Sequence, residues 1–185
     1  MADRTGLSVA ASVPLSIDPI AEARRQWHEH GYTAAADGMA AVTAIMRTQQ
    51  ILLARIEATL KSFDLTFSRY ELLTLLSFTR SGALPMAKAS ARLQVHPTSV
   101  TNAVDRLEKA RLVQRVAHPT DGRGTLVEIT DAGRERVRIA TAALNTAVFE
   151  SPGFTGDEVA DLNRMLGRFR RDAGDFDGSG TAHPE

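Results

Sequence analysis

The chain has 185 residues, 43% of them hydrophobic, and 22 Lys+Arg against 22 Asp+Glu, so its formal net charge is zero. That length and apolar content suit one domain with a sizeable core, and the even charge balance supplies no global attraction to nucleic acid or membrane. The lack of cysteine excludes disulfides, thiolate metal sites and thiol-based peroxide sensing.

Residues 1–17 are rich in Ala, Ser and Val without a basic start or a continuous apolar core, and they read as a disordered arm rather than a targeting segment. No run approaches the roughly 18 apolar residues of a membrane span, so no membrane partner is expected and cytoplasmic location is the default. Residues 18–63 read as N-terminal helices. Asp18-Pro19-Ile20 is a helix start, Asp as cap and Pro in the first turn, and the helix runs to a Gly31 stop with Ile20, Ala23 and Trp27 on one side. Within it His28-Glu29-His30 is a poor metal site, because helical residues two apart point in different directions. Between Ala34 and Phe63, Met39, Val42, Ile45, Leu52, Ile56 and Leu60 repeat every three or four residues, predicting a helix of roughly seven to eight turns. A stripe that long needs a partner beyond the module that follows.

Residues 64–130 form that module. Phe67–Leu76 is one predicted helix. Pro85–Leu93 is a second, Gln94-Val95-His96 a turn, and Pro97 restarts a helix in which Val100, Val104 and Leu107 make one apolar stripe. Its other face carries Thr98, Thr101, Asn102 and Asp105, flanked by Ser99 and Arg106. Short hydrogen-bonding side chains near a helix N-terminus suit base edges in a DNA major groove, with Asn as the natural partner of adenine. Leu112–Thr130 then reads as a β-hairpin: aliphatic strand formers flank Pro119-Thr120-Asp121-Gly122-Arg123-Gly124, and Asp-Gly is a strong hairpin signal. Arg123 stands at the tip, shaped to enter a minor groove, or else merely solvated. From Pro85 to Gly124 there are seven basic residues against three acidic, so positive charge is concentrated where the motif is.

Residues 131–173 read as C-terminal helices: one from Asp131 to about Phe149, a break at Ser151-Pro152-Gly153, and another from Thr155-Gly156-Asp157-Glu158, with Val159, Leu162, Met165, Leu166 and Phe169 on one face. Residues 174–185 are Gly-rich and acidic and are expected to be a disordered tail.

From about Leu65 to Gly133 the chain resembles the MarR family of winged-helix transcriptional regulators. The resemblance rests on the helix Phe67–Leu76, the segment Ser99–Lys109, Leu112-Val113, the wing from Pro119 to Arg123 closing at Leu126–Thr130, and the helix start Thr130-Asp131-Ala132-Gly133. It implies a mainly α fold with a small β-hairpin, in which a winged helix-turn-helix is flanked by N- and C-terminal dimerisation helices. It further implies that Arg123 probes the minor groove and that Asp121 pairs with an Arg to support the wing, although Asp121 also suits the turn itself. Position 103 departs from the pattern: it is Ala where many relatives place a basic or polar residue. Family members that respond to urate or related phenolic and aromatic ligands are similar around the extra N-terminal helix, and Trp27, Glu71 and Arg115 match their ligand-associated positions.

The expected protein is therefore a homodimer that binds double-stranded DNA at a pseudo-palindromic operator, a repressor released by a small aromatic or anionic effector. Thr98, Ser99, Thr101, Asn102 and Arg106 are the candidate major-groove residues, Arg123 the minor-groove residue, and Lys88, Arg92 and Arg115 the phosphate contacts. Trp27, Tyr70 and Glu71 are the candidate effector residues, Trp27 being either a packing anchor or a ligand platform. An activator, or a helical interaction module that uses this fold to bind protein, is the alternative. No motif calls for a cofactor, a metal or catalysis.

Overall fold

The computed structural model describes residues 14–119 and 124–179. Helix α1 (Pro19–Glu29) opens at Asp18, whose carboxylate accepts the Ile20 N–H at 2.9 Å, with Pro19 in the first turn, where a missing N–H costs no helical bond. The chain reverses at Gly31, whose φ of 84° is the left-handed conformation glycine adopts without strain. It returns as α2 (Thr33–Leu60), 28 residues followed by a 3-10 turn over Lys61–Phe63. Arg24 pairs with Asp37 at 2.5 Å across this helical hairpin. The two ends of α2 differ: the first turns bury only Ala36, while Arg55, Ile56 and Leu60 enter the core.

Helix α3 (Phe67–Phe78) begins beneath α2, where Glu57 Oε1 accepts the Phe67 N–H at 2.8 Å and so satisfies an orphan donor of the new helix. It buries Tyr70, Leu72, Leu73 and Leu76. Strand β1 (Ala83–Pro85), α4 (Met86–Leu93), α5 (Pro97–Lys109), β2 (Val113–Ala117) and β3 (Thr125–Ile129) follow. The strands form an antiparallel sheet in the order β1-β3-β2, with Leu84 opposite Val127 and Val113 opposite Ile129. A two-stranded hairpin was the expectation, and β1 adds a third strand. Pro85, read from sequence as a helix opener, is the last residue of that strand and the N-cap of α4. A proline fits there because the ladder ends with it.

Helix α6 (Asp131–Leu144) starts at Thr130, whose hydroxyl accepts the Gly133 N–H at 3.0 Å, and runs into a π-helical turn over Asn145–Phe149. Gly133 is required by a close approach, since a Cβ there would lie 2.1 Å from the Leu112 carbonyl oxygen. One apolar core joins the end of α2, α3, α5, the sheet and α6, with Leu60, Leu72, Leu73, Leu76, Leu107 and Leu144 fully enclosed. The buried Arg55 guanidinium donates to the carbonyl oxygens of Ala147, Ser151 and Pro152 at 3.0, 3.1 and 3.3 Å, holding the chain between α6 and the last helix.

That last helix, α7 (Gly156–Asp172), is opened by a full capping box: the Thr155 hydroxyl accepts the Glu158 N–H while the Glu158 carboxylate accepts the Thr155 N–H. It buries no residue and packs broadly on no other element of its own chain. Met165, Leu166 and Phe169 are 43%, 43% and 71% exposed, and Val42, Ile45 and Met46 on the early turns of α2 are similarly open. Among the described residues no helix is long and apolar enough to cross a membrane.

Candidate nucleic-acid interface

Helix α5 is held from below and open above. Val100, Ala103, Val104 and Leu107 are buried, and the helix packs on α3, α4 and β2. Thr98, Ser99, Thr101, Asn102 and Arg106 are exposed on its other side. The sequence reading of two faces thus matches the fold, with one refinement at position 103. Ala103 is only 9% exposed, so it belongs to the core side and not to the outward face on which a cation would meet a groove.

The helix start is built from His96 and Pro97. His96 Nδ1 accepts the Thr98 N–H at 3.3 Å, a capping role that sequence reasoning missed because His is an uncommon cap. Thr101 Oγ1 donates back to the Pro97 carbonyl at 3.1 Å and the side chain stays exposed. The turn from α4 is closed by Ser90, whose buried hydroxyl donates to the Val95 carbonyl at 2.6 Å, and by Gln94 at a φ of 54°. Lys88 and Arg92 lie exposed on α4.

Arg115 lies on β2, the strand leading into the wing, and has protein partners there. The sequence reading assigns it to phosphate; in the structure its guanidinium pairs with Asp105 at 2.6 Å and with Glu108, both on α5. Glu108 Oε1 also accepts the Arg115 backbone N–H at 3.1 Å. The hydrogen bond to Asp105, with a smaller contribution from Glu108, outweighs desolvation and raises the Arg115 pKa. A wing strand and the recognition-type helix are therefore bolted together by charge-assisted bonds. The sequence reading placed Asp105 on the outward face of α5 and gave Glu108 no role; the i,i+3 acid pair opposite a strand Arg was the signal available. Asp121 and Arg123 lie outside the described residues.

The three candidate effector residues divide. Tyr70 is buried, its hydroxyl 3.1 Å from Thr141 Oγ1 and its ring stacked on Phe67 with centroids 6.4 Å apart. Glu71, one residue on, is half-buried, and burial raises its carboxyl pKa above the ordinary value. Trp27 is at the other end of the molecule, its ring 5.6 Å from that of Tyr32. Between the turns of α2 that meet α1 and those that meet α3 there are about twenty residues of helix, roughly 30 Å, so one chain does not bring Trp27 to the other two. Two open clefts of about 490 and 430 Å³ lie elsewhere, one lined by Glu57, Lys61, Asp64 and Arg69, the other between α4 and the sheet with Lys88, His118 and Glu128. No cluster of metal-ligating side chains is present among the described residues.

Comparison with known proteins decides the family. Residues 63–124 match the MarR family profile. The solved structure of Sco5413, a MarR family transcriptional regulator from Streptomyces coelicolor, is 49% identical, with a TM-score of 0.69 over 76% of this chain and 97% of that one. The chain belongs to the MarR family. Its relatives are transcriptional regulators and not enzymes. A HTH-type transcriptional regulator of Bacillus subtilis, YhbI, is 33% identical over 97 residues, covering 52% of this chain but only 60% of YhbI. The MarR-family fold recurs in Sco3205 from Streptomyces coelicolor, solved in complex with DNA, at 22% identity and a TM-score of 0.64 over 72% of this chain and 88% of that one. In MarR terms, α4 and α5 are the helix-turn-helix and β1–β3 carry the wing.

Proposed function

We propose that this MarR-family protein is a homodimeric repressor that reads a pseudo-palindromic operator and is released by a small aromatic or anionic effector. The observation that carries the reading is α5: an exposed row of Thr98, Ser99, Thr101, Asn102 and Arg106 on a helix whose opposite side is fixed in the core and whose flank is locked to β2. In this reading those side chains contact base edges and nearby phosphates in the major groove, Lys88 and Arg92 hold phosphates, and Arg123 enters the minor groove. The DNA-bound state of the structurally similar Sco3205 supports the same use of the fold.

A second copy covers the open apolar faces of α7 and the early turns of α2, which together would leave an unusually large hydrophobic surface in water. Twofold symmetry then presents two α5 helices to half-sites about one helical turn, roughly 34–36 Å, apart. Pairing of subunits also brings the Trp27 end of one chain toward the partner, and the half-buried Glu71 is the polar group best suited to meet an effector between the two layers. Effector binding favours a dimer in which both α5 helices no longer match both half-sites.

Footprinting on the intergenic DNA flanking the gene, repeated across a panel of aromatic acids, tests the reading. Protection of two half-sites, weakened by Asn102→Ala and Arg123→Ala and reversed by a ligand, is the expected result. Binding without sequence selectivity at low salt would overturn it.

A further inference from the structure

The C-terminal helix touches the helix-turn-helix unit of its own chain at one turn. Gln94, between α4 and α5, donates from its amide nitrogen to Asp175 Oδ1 at 2.6 Å and to the Asp175 carbonyl oxygen at 3.2 Å. Its amide oxygen accepts from Arg170 Nη2 at 3.5 Å, and Arg170 Nε pairs with Asp175 Oδ2 at 2.6 Å. The turn that presents Asp175 is itself fixed, because the Asp175 N–H donates to the Arg170 carbonyl at 3.0 Å and the Phe176 ring lies under the Arg170 and Arg171 guanidinium groups at 5.4 and 5.7 Å. Asp175 and Phe176, which make these contacts, fall in the stretch 174–185 that reads from sequence as a disordered tail.

We propose that this cluster is a tether that sets the position of α5 relative to the dimerisation layer, making Gln94 and Asp175 positioning residues for operator half-site spacing. The proposal rests on the dimeric DNA-binding reading above. If α7 is clamped by a second copy, its C-terminal end is a fixed point of the dimer, and Gln94 lies three residues before the start of α5. Helix α5 moves with α3, α4 and the sheet as one packed body, which meets the remaining helices mainly where α3 packs on α2 and α6; without the tether that body can pivot about this joint. A rotation of about 10° over the roughly 20 Å length of α5 moves its far end by about 3.4 Å, one base-pair step. The bonds are exposed and few, so the tether selects spacing rather than supplying bulk affinity.

Operators carrying the native spacer, or one base pair inserted or deleted, distinguish this role from a structural one. Gln94→Asn keeps a residue that tolerates positive φ but is one methylene too short to reach Asp175, and it leaves the tail charge unchanged. Asp175→Ala is a second variant at a surface position. In the wild type one inserted base pair lowers affinity at least tenfold; in both variants native-spacer affinity falls by about threefold and the insertion penalty shrinks to about threefold, the scale of one or two weak hydrogen bonds. Because the chain has no cysteine, a single spin label at Lys109→Cys reports the distance between the two α5 helices without DNA, and that distribution broadens in Gln94→Asn. An unchanged spacing profile and an unchanged distance distribution overturn the tether, as does equal weakening at all spacings. Tighter binding at all spacings in Asp175→Ala alone also overturns it, and assigns the tail to charge repulsion of DNA. A wild-type protein that is monomeric, or unselective for sequence, sinks the functional reading itself and the tether with it.

Discussion

Replacing Gly133 with alanine probes the junction of α6 with the sheet. The added Cβ would lie 2.1 Å from the Leu112 carbonyl oxygen, 2.8 Å from Ile129 Cγ1 and 3.0 Å from the Leu112 carbonyl carbon. None of these atoms is the free end of a flexible side chain: Leu112 and Ile129 are 4% and 5% exposed, and the same Leu112 oxygen accepts the Thr130 N–H at 3.1 Å. The backbone must therefore open by about 1 Å before carbon and oxygen reach an ordinary contact distance. Overpacking of this kind costs about 1–3 kcal/mol, and backbone on one side places this site at the upper end. The gain in helix propensity from Gly to Ala, about 1 kcal/mol at most, offsets part of it. A net loss of about 2 kcal/mol corresponds to a fall in Tm of roughly 4–8 °C for a chain of this size. Circular dichroism melts at fixed protein concentration measure it, with Gly38→Ala on α2 as the reference, because nothing lies within 4 Å of a Cβ there. Coincident melts for the two variants would refute the close-approach argument.

Arg55→Met keeps most of the side-chain volume and removes the donors to three carbonyl oxygens, so urea unfolding should register a loss of about 2–3 kcal/mol. Glu71→Gln reads the desolvated carboxylate. A raised folded-state pKa means that folding favours the protonated form, so the wild type loses stability as pH rises from the unfolded-state pKa through the folded one. The variant should match the wild type at pH 4 and be the more stable at pH 7.5; equal unfolding midpoints at both pH values contradict the burial argument. Phe169→Asp places a charge on the open stripe of α7, where a lone chain loses little by it. On the proposed dimer, sedimentation at micromolar concentration should find a folded monomer for the variant against a dimer for the wild type, and an unchanged dimer excludes α7 from the subunit contact.

Much of this architecture is written locally. The Asp18-Pro19 and Thr155–Glu158 caps mark their helices because a capping side chain acts on donors two or three residues away, and the apolar stripes of α2 and α5 follow from 3.6-residue periodicity. What escaped depends on partners distant in sequence. Strand β1 is three residues long, too short for an alternation to be visible, and exists because β3 offers it a ladder. The pairing of Arg115 was not legible, since nothing near it in sequence announces that Asp105 and Glu108 stand beside it once α5 turns into β2. Ala103 looked like a gap in a basic face until α5 was seen to turn that position toward the core. Gln94 and Asp175, 81 positions apart, had no local signal at all.

The bond between Arg115 and the α5 carboxylates has a kinetic consequence. If α5 and the wing both contact DNA as proposed, a strand fixed to the helix beside it makes their contacts form and break together. Partial engagement on a wrong sequence is then short-lived, because no second anchor remains to hold the protein while the first re-forms. On the proposed dimeric reading, discrimination among sites would fall on dissociation, and the correct operator would be distinguished by how long it retains the protein rather than how fast it is found.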